Sequence, residues 1–181
     1  IFIGVLGVVT LFSMGDILVS RLKEDIQKNQ LAMVKIGLTT SDPAVDATDN
    51  ALLLDLVLTQ PGVTVTEGQL ISQLYFKDPK GSDEFEQGTL VAYSVPMGDL
   101  QLEPLQLTKG DYPIAGSKQL AIEQRMADAY NLKVGDSIGL RMVSQASTGD
   151  SIPVEDWIIS GIVFQPYVLV EGDVEMASTV F

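Results

Sequence analysis

The stretch from Gly110 to Leu140, GDYPIAGSKQLAIEQRMADAYNLKVGDSIGL, constrains this chain more than any other. Gln119–Ile122 reads as a strand. Glu123–Leu132 then places Met126, Ala127 and Tyr130 at helical spacing, Gly135-Asp136 turns the chain, and Ser137–Val143 is strand-like again. The order is strand, helix, turn, strand, and none of these residues has the character of a catalyst. The segment therefore describes architecture before chemistry.

The amino end supplies the second constraint. Ile1–Met14, IFIGVLGVVTLFSM, carries no charge, and Asp16, Arg21 and Lys23 follow at once. At about 1.5 Å per residue such a run reaches roughly 21 Å, less than the roughly 30 Å hydrocarbon core of a bilayer. It is apolar on all faces rather than striped, as part of a membrane helix would be. Beyond Gly15, Ile17, Leu18, Leu22 and Ile26 recur at three- and four-residue steps among charged neighbours, so the helix is expected to continue into water as an amphipathic stalk.

Further along, Leu31–Thr39 reads as a strand, and Thr48–Gln60 reads as a helix stopped by Pro61-Gly62. Val63–Phe76 offers one or two strands, which gives the order strand, helix, strand. Lys77–Gln87 is polar and rich in turn formers and reads as a loop. Thr89–Val95, the Pro-interrupted Gln101–Leu107, and Val154–Val163, with Trp157 and Ile159 on one face, are further strands. The expected fold is α+β and two-lobed. Residues 1–30 form the end of a transmembrane helix and stalk, 31–88 and 152–181 a strand-helix-strand lobe, and 89–151 an inserted β-rich lobe.

Composition removes whole classes of function. The 181-residue chain has neither cysteine nor histidine, so disulfides, thiol nucleophiles, Ser-His-Asp triads and His-based zinc sites are all excluded. Twenty-four acidic residues against eleven basic ones give a net charge of −13, which repels nucleic acid. The acidity lies after Lys35, since the first 35 residues hold four basic and three acidic side chains. Ser20-Arg21-Leu22-Lys23 has Ser-x-x-Lys spacing, but the Ser-Asp-Asn and Lys-Thr-Gly sequences that accompany it in penicillin-binding enzymes are missing. The acidic groups Asp42/Asp46/Asp49, Asp83/Glu84/Glu86 and Glu171/Asp173/Glu175 lack the spacing of a calcium loop. No Gly-x-x-x-x-Gly-Lys loop occurs, so the chain is not expected to bind ATP itself. No catalytic residue, cofactor or metal is expected.

Several segments together resemble a known group. The apolar helix and stalk, Gln60-Pro61-Gly62-Val63, Gly110-Asp111-Tyr112-Pro113, Leu132-Lys133-Val134-Gly135-Asp136 and Ile159-Ser160-Gly161-Ile162 are similar, in order, to the extracytoplasmic core of ABC-transporter permeases of the MacB and FtsX type. Asp111 stands where that group commonly has Arg.

The resemblance implies a membrane location with most of this chain on the extracytoplasmic side, a cytoplasmic ATP-binding subunit, a second permease subunit and an extracytoplasmic partner protein. It also implies about three further membrane spans in the full protein, and substrates such as lipoproteins, peptides or hydrophobic compounds. Leu22 and Ile26 are the coupling candidates in the stalk; Gly62, Gly135 and Asp136 are structural candidates, Gly62 for the positive φ that ends a helix and Gly135-Asp136 for a tight turn into a strand. The alternative is a membrane-anchored binding or regulatory ectodomain acting on a cell-wall hydrolase or a receptor.

Overall fold

Strand β6 (Glu155–Phe164) organises the molecule, because it pairs with three other strands. In a computed structural model, which describes residues 20, 30–37, 47–77, 84–142, 153–166 and 179–181, the chain is a mixed helix and sheet fold. Its elements are α1 (Ala47–Leu58), β1 (Gln69–Lys77), β2 (Phe85–Tyr93), a 3-10 turn at Met97–Asp99, β3 (Gln106–Gly110), β4 (Gln119–Glu123), α2 (Gln124–Tyr130), β5 (Ser137–Met142), β6 and β7 (Thr179–Val180).

The strands form one sheet in the order β3-β6-β4-β7-β2-β1-β5, and β5 pairs back onto β6. Six of them thus close a ring, which leaves few edge groups unpaired. β1 and β2 make an antiparallel hairpin along their full length, from Gln69 opposite Tyr93 to Lys77 opposite Phe85. β7 enters between β2 and β4, parallel to the first and antiparallel to the second. β3 lies on the same side of β6 as β5, farther along the strand.

Two apolar clusters cover opposite faces of the sheet. The inner one joins Leu74, Phe76, Leu120, Ile122, Ile138, Leu140, Ile159, Ile162 and Val180, and α2 adds Met126 and Ala127 to it. The outer one joins Val91, Ala121, Val163 and Phe181 to Leu100 and Leu105 of the loop after β2. Alternate residues of β4 feed alternate clusters, so Leu120 through Glu123 are all buried.

The short helix α2 is held at both ends. Glu123, 1% exposed, accepts a hydrogen bond from Arg125 N at 2.5 Å and lies 3.0 Å from Arg125 Nε. Asn131 adopts φ +54 at the other end, and the next residue, Leu132, donates its backbone N–H to Ala127 O. Tyr130, the third residue of the helical stripe, packs edge-on against Phe76 with ring centroids 5.2 Å apart.

The strand expected from Leu31 does not form over residues 31–37, where no ladder is present. Met33, Val34 and Ile36 are exposed there, and the segment is tied down instead by Glu103 N donating to Gln30 O and by the Lys35–Glu103 ion pair at 3.0 Å. β3 starts only at Gln106, because Pro104 lacks a ladder donor and Glu103 has φ +48. The 89–151 segment expected as an inserted lobe contributes β3, β4 and β5 to the same sheet as β1, β6 and β7. β2 runs across the 88/89 boundary.

Candidate functional site

β3 and β6 touch backbone to backbone at two glycines. Gly110, at the end of β3, has φ +73, and a Cβ there would lie 2.3 Å from Ser160 O and 2.9 Å from Val134 Cγ2. Gly161 sits opposite, and a Cβ on it would lie 2.4 Å from Asp111 O. Neither position has room for a side chain, and the approach lets Asp111 N donate to Ser160 O at 2.9 Å.

The turn into β5 reaches the adjoining part of β6. Asp136 Oδ2 accepts from Lys133 N at 2.8 Å, and Asp136 N donates to Lys133 O at 3.0 Å, which closes the turn around Gly135 at φ +93. Gly135 N then donates to Ile159 O at 2.8 Å, and Ile159 N donates to Asp136 O at 2.9 Å. The register between β4 and β6 slips here, Leu120 opposing Ile159 and Ala121 opposing Gly161, so Ser160 is the bulged residue. The slip lets both Ile159 and Ile162 face the inner cluster.

An open groove of about 380 Å³ lies over this junction, with Tyr112, Gln119, Val134 and Ile159 among its lining residues. Its rim is apolar: Ile114 is 67% exposed, and Val134 and Ile158 are also exposed. Three of its polar side chains are already engaged, and the carboxylate of Asp111 is exposed at its edge. Tyr112 Oη donates to Leu105 O at 2.7 Å, Gln119 Oε1 accepts from Ile114 N at 3.3 Å, and Ser160 Oγ donates to Leu120 O at 3.2 Å. The apolar rim suits contact with another apolar group.

Of the candidate residues, Gly135 and Asp136 belong to this junction. Gly62 stands elsewhere, at φ +86 in the turn that follows α1, with Val63 N donating to Gln60 O and open space around its Cα. Leu22 and Ile26 lie outside the described residues, as do Lys23 of the Ser-x-x-Lys motif, Asp42, Asp46, Asp83 and the Glu171–Glu175 group. Among the described residues no group of three acidic side chains is placed to hold a metal ion, and no helix is long and apolar enough to cross a membrane; Ile1–Met14 is outside them.

Sequence reasoning missed the Gly110–Gly161 contact, although both glycines stood in the quoted motifs. A glycine inside a strand pattern is the available signal for a close backbone approach. It also missed Glu67, whose carboxylate accepts from Gln101 N at 2.7 Å and from Leu102 N at 3.1 Å and so straps down the loop between β2 and β3.

Comparison with known proteins yields no matching family model and no matching curated protein. Among solved structures, the chain is similar to the periplasmic region of MacB from Actinobacillus actinomycetemcomitans, with a TM-score of 0.43 and 9% sequence identity. That match covers 70% of this chain and 51% of the other, so the chain spans about half the length of the MacB structure.

Proposed function

We propose that this chain is the extracytoplasmic domain of an ABC transporter permease subunit, coupling cytoplasmic ATP hydrolysis to export of, or extracytoplasmic work on, a lipoprotein, peptide or hydrophobic substrate. The observation that carries the reading is the convergence of three motif segments. Gly110-Asp111, Gly135-Asp136 and Ile159-Ser160-Gly161 are far apart in sequence, yet they meet on one edge of β6 through three backbone hydrogen bonds. Segments quoted for their resemblance to permease cores thus form one structural unit. The uncharged Ile1–Met14 run supports a membrane location for the amino end.

On this reading a separate ATP-binding subunit performs the hydrolysis, a second permease subunit completes the pair, and the segment carrying Leu22 and Ile26 transmits motion. The test uses the full permease with its ATP-binding subunit in proteoliposomes. Leu22→Asp and Ile26→Asp are expected to lower substrate-stimulated ATP hydrolysis severalfold while expression and assembly stay normal. Unchanged stimulation in both variants overturns the coupling role, and failure of any ATP-binding subunit to copurify with the permease from its native membrane overturns the transporter reading.

A further inference from the structure

We propose that Glu103 is a releasable latch, which holds residues 30–37 against the loop between β2 and β3 and lets go by leaving a left-handed backbone conformation. Among the described residues, only Glu103, at φ +48, and Asn131 have a positive φ without being glycine. Asn131 caps α2, a place where asparagine accepts this conformation readily. Glu103 has no such role, and it precedes Pro104, whose ring pushes the residue before it towards an extended φ of about −120°. Backbone strain of this kind persists only where surrounding contacts impose it. Here the contacts are those that fasten residues 30–37. Glu103 N donates to Gln30 O at 2.7 Å, and Glu103 Oε2 accepts from Lys35 Nζ at 3.0 Å. The rest of the loop is fixed independently: Leu100 and Leu105 are buried in the outer cluster, Glu67 holds Gln101 N and Leu102 N, and Pro104 has a locked φ. The strain is thus confined to the residue that makes both contacts.

Charge sets the threshold for release. The side chains of the Lys35–Glu103 pair are 49% and 20% exposed, so the pair is weak and responds to salt. Glu67 and Glu103 both act on the Tyr93 phenol, so two like charges lie near that ring. Two backbone N–H groups satisfy Glu67, and Lys35 is the counter-charge beside Glu103. Breaking the pair leaves Glu103 with a strained backbone and a like charge nearby, and both favour the extended conformation. In sequence, residues 30–37 follow the uncharged amino-terminal run and precede α1, so the latch sets how firmly that part of the chain is tied to the sheet. The proposal stands whether or not the chain belongs to a transporter.

The test uses the 181-residue chain in amphipol and two readouts, hydrogen exchange at the Glu103 amide and the distance between spin labels on Met33→Cys and Gln73→Cys. Both label positions are exposed, and the chain has no cysteine of its own. Lys35→Gln should speed exchange at Glu103 severalfold and add a second population to the label distances. Salt at about 1 M, where the screening length is about 3 Å, should do the same to the parent chain and nothing further to Lys35→Gln. The charge exchange Lys35→Glu/Glu103→Lys keeps the net charge and should restore a single distance. Glu103→Gly and Glu103→Gln both lack the ion pair, but glycine accepts a positive φ without strain. Exchange at position 103, corrected for intrinsic rates, should therefore be about threefold slower in the glycine variant. Exchange in β4 reports that each variant is folded, and the glycine–glutamine comparison decides by itself if the charge exchange disturbs the sheet. The latch is overturned if Lys35→Gln changes neither readout, if a folded charge-exchange variant still shows two distances, or if the glycine variant exchanges as fast as the glutamine one.

Discussion

Substituting Gly110 with alanine incurs two physical costs at once, one conformational and one steric. Its φ of +73 is a conformation in which an L side chain costs about 1–2 kcal/mol. The added Cβ also meets Ser160 O at 2.3 Å, and the strands must part by about 0.7 Å before that contact reaches the 3.0 Å below which real Cβ atoms essentially never come. Displacing a packed strand costs about 1–3 kcal/mol, and the Asp111 N–Ser160 O bond is worth about 1 kcal/mol. Gly110→Ala should therefore destabilise by about 3–6 kcal/mol.

Two other glycines calibrate the sum. Gly116 has φ +78 but nothing within 4 Å, so Gly116→Ala should cost only the conformational part, about 1–2 kcal/mol. Gly161 lacks a positive φ but would place its Cβ 2.4 Å from Asp111 O, so Gly161→Ala should cost about 2–3 kcal/mol. The assay is urea unfolding followed by the fluorescence of Trp157, the chain's single tryptophan, which packs against the inner cluster. With a slope of about 2 kcal/mol per M, the midpoint should fall by about 1.5–3 M for Gly110→Ala and by about 0.5–1 M for Gly116→Ala. Equal midpoints for these two variants would refute the close crossing of β3 and β6.

Two further perturbations address other parts of the fold. Burial, aided by the Glu103 and Glu67 charges and opposed by a hydrogen bond with Gln69, raises the Tyr93 phenol from 10.0 to about 12. The folded state thus holds a proton that the unfolded chain releases, so this contribution is complete below pH 10 and disappears as the pH rises through about 12. Unfolding midpoints measured across that window should fall less steeply for Tyr93→Phe; an equally steep fall in the variant contradicts the assignment. Glu67→Ala removes both acceptors that hold Gln101 N and Leu102 N, so hydrogen exchange at these two amides should accelerate about tenfold or more while exchange in β4 is unchanged. Unaltered protection at both amides would show that the loop is held by other means.

Periodicity made the segment from β4 to β5 readable, because local signals and tertiary packing agree there. Met126 and Ala127 are buried and Tyr130 is half-buried, the stripe that helical spacing selects. Trp157 and Ile159 likewise share the inner face. Elsewhere the decisive interactions join residues far apart in sequence. Met33, Val34 and Ile36 have the composition of a strand but no neighbouring edge, so propensity yields to the absence of a partner. The groove depends on a bulge at Ser160 and on two glycines about fifty positions apart, and no local pattern pairs Gly110 with Gly161. Gly135-Asp136 was legible as a turn, whereas its two hydrogen bonds to Ile159 belong to the assembled sheet.

The place of β7 in the sheet bears on how the chain is made. β2 and β4 are both synthesised well before Thr179, yet the pairing that links them runs through residues 179–181, including the reciprocal bonds between Ala121 and Phe181 at 2.8 and 2.9 Å. At ribosomal rates of about 5–20 residues per second, the edges of these two strands wait on the order of ten seconds for their neighbour. During that interval the nascent chain presents unpaired strand edges of the kind that chaperones shield and that pair with the wrong molecule when left alone. Ring closure therefore waits on the synthesis of β7, and until then the edges of β2 and β4 need a guard.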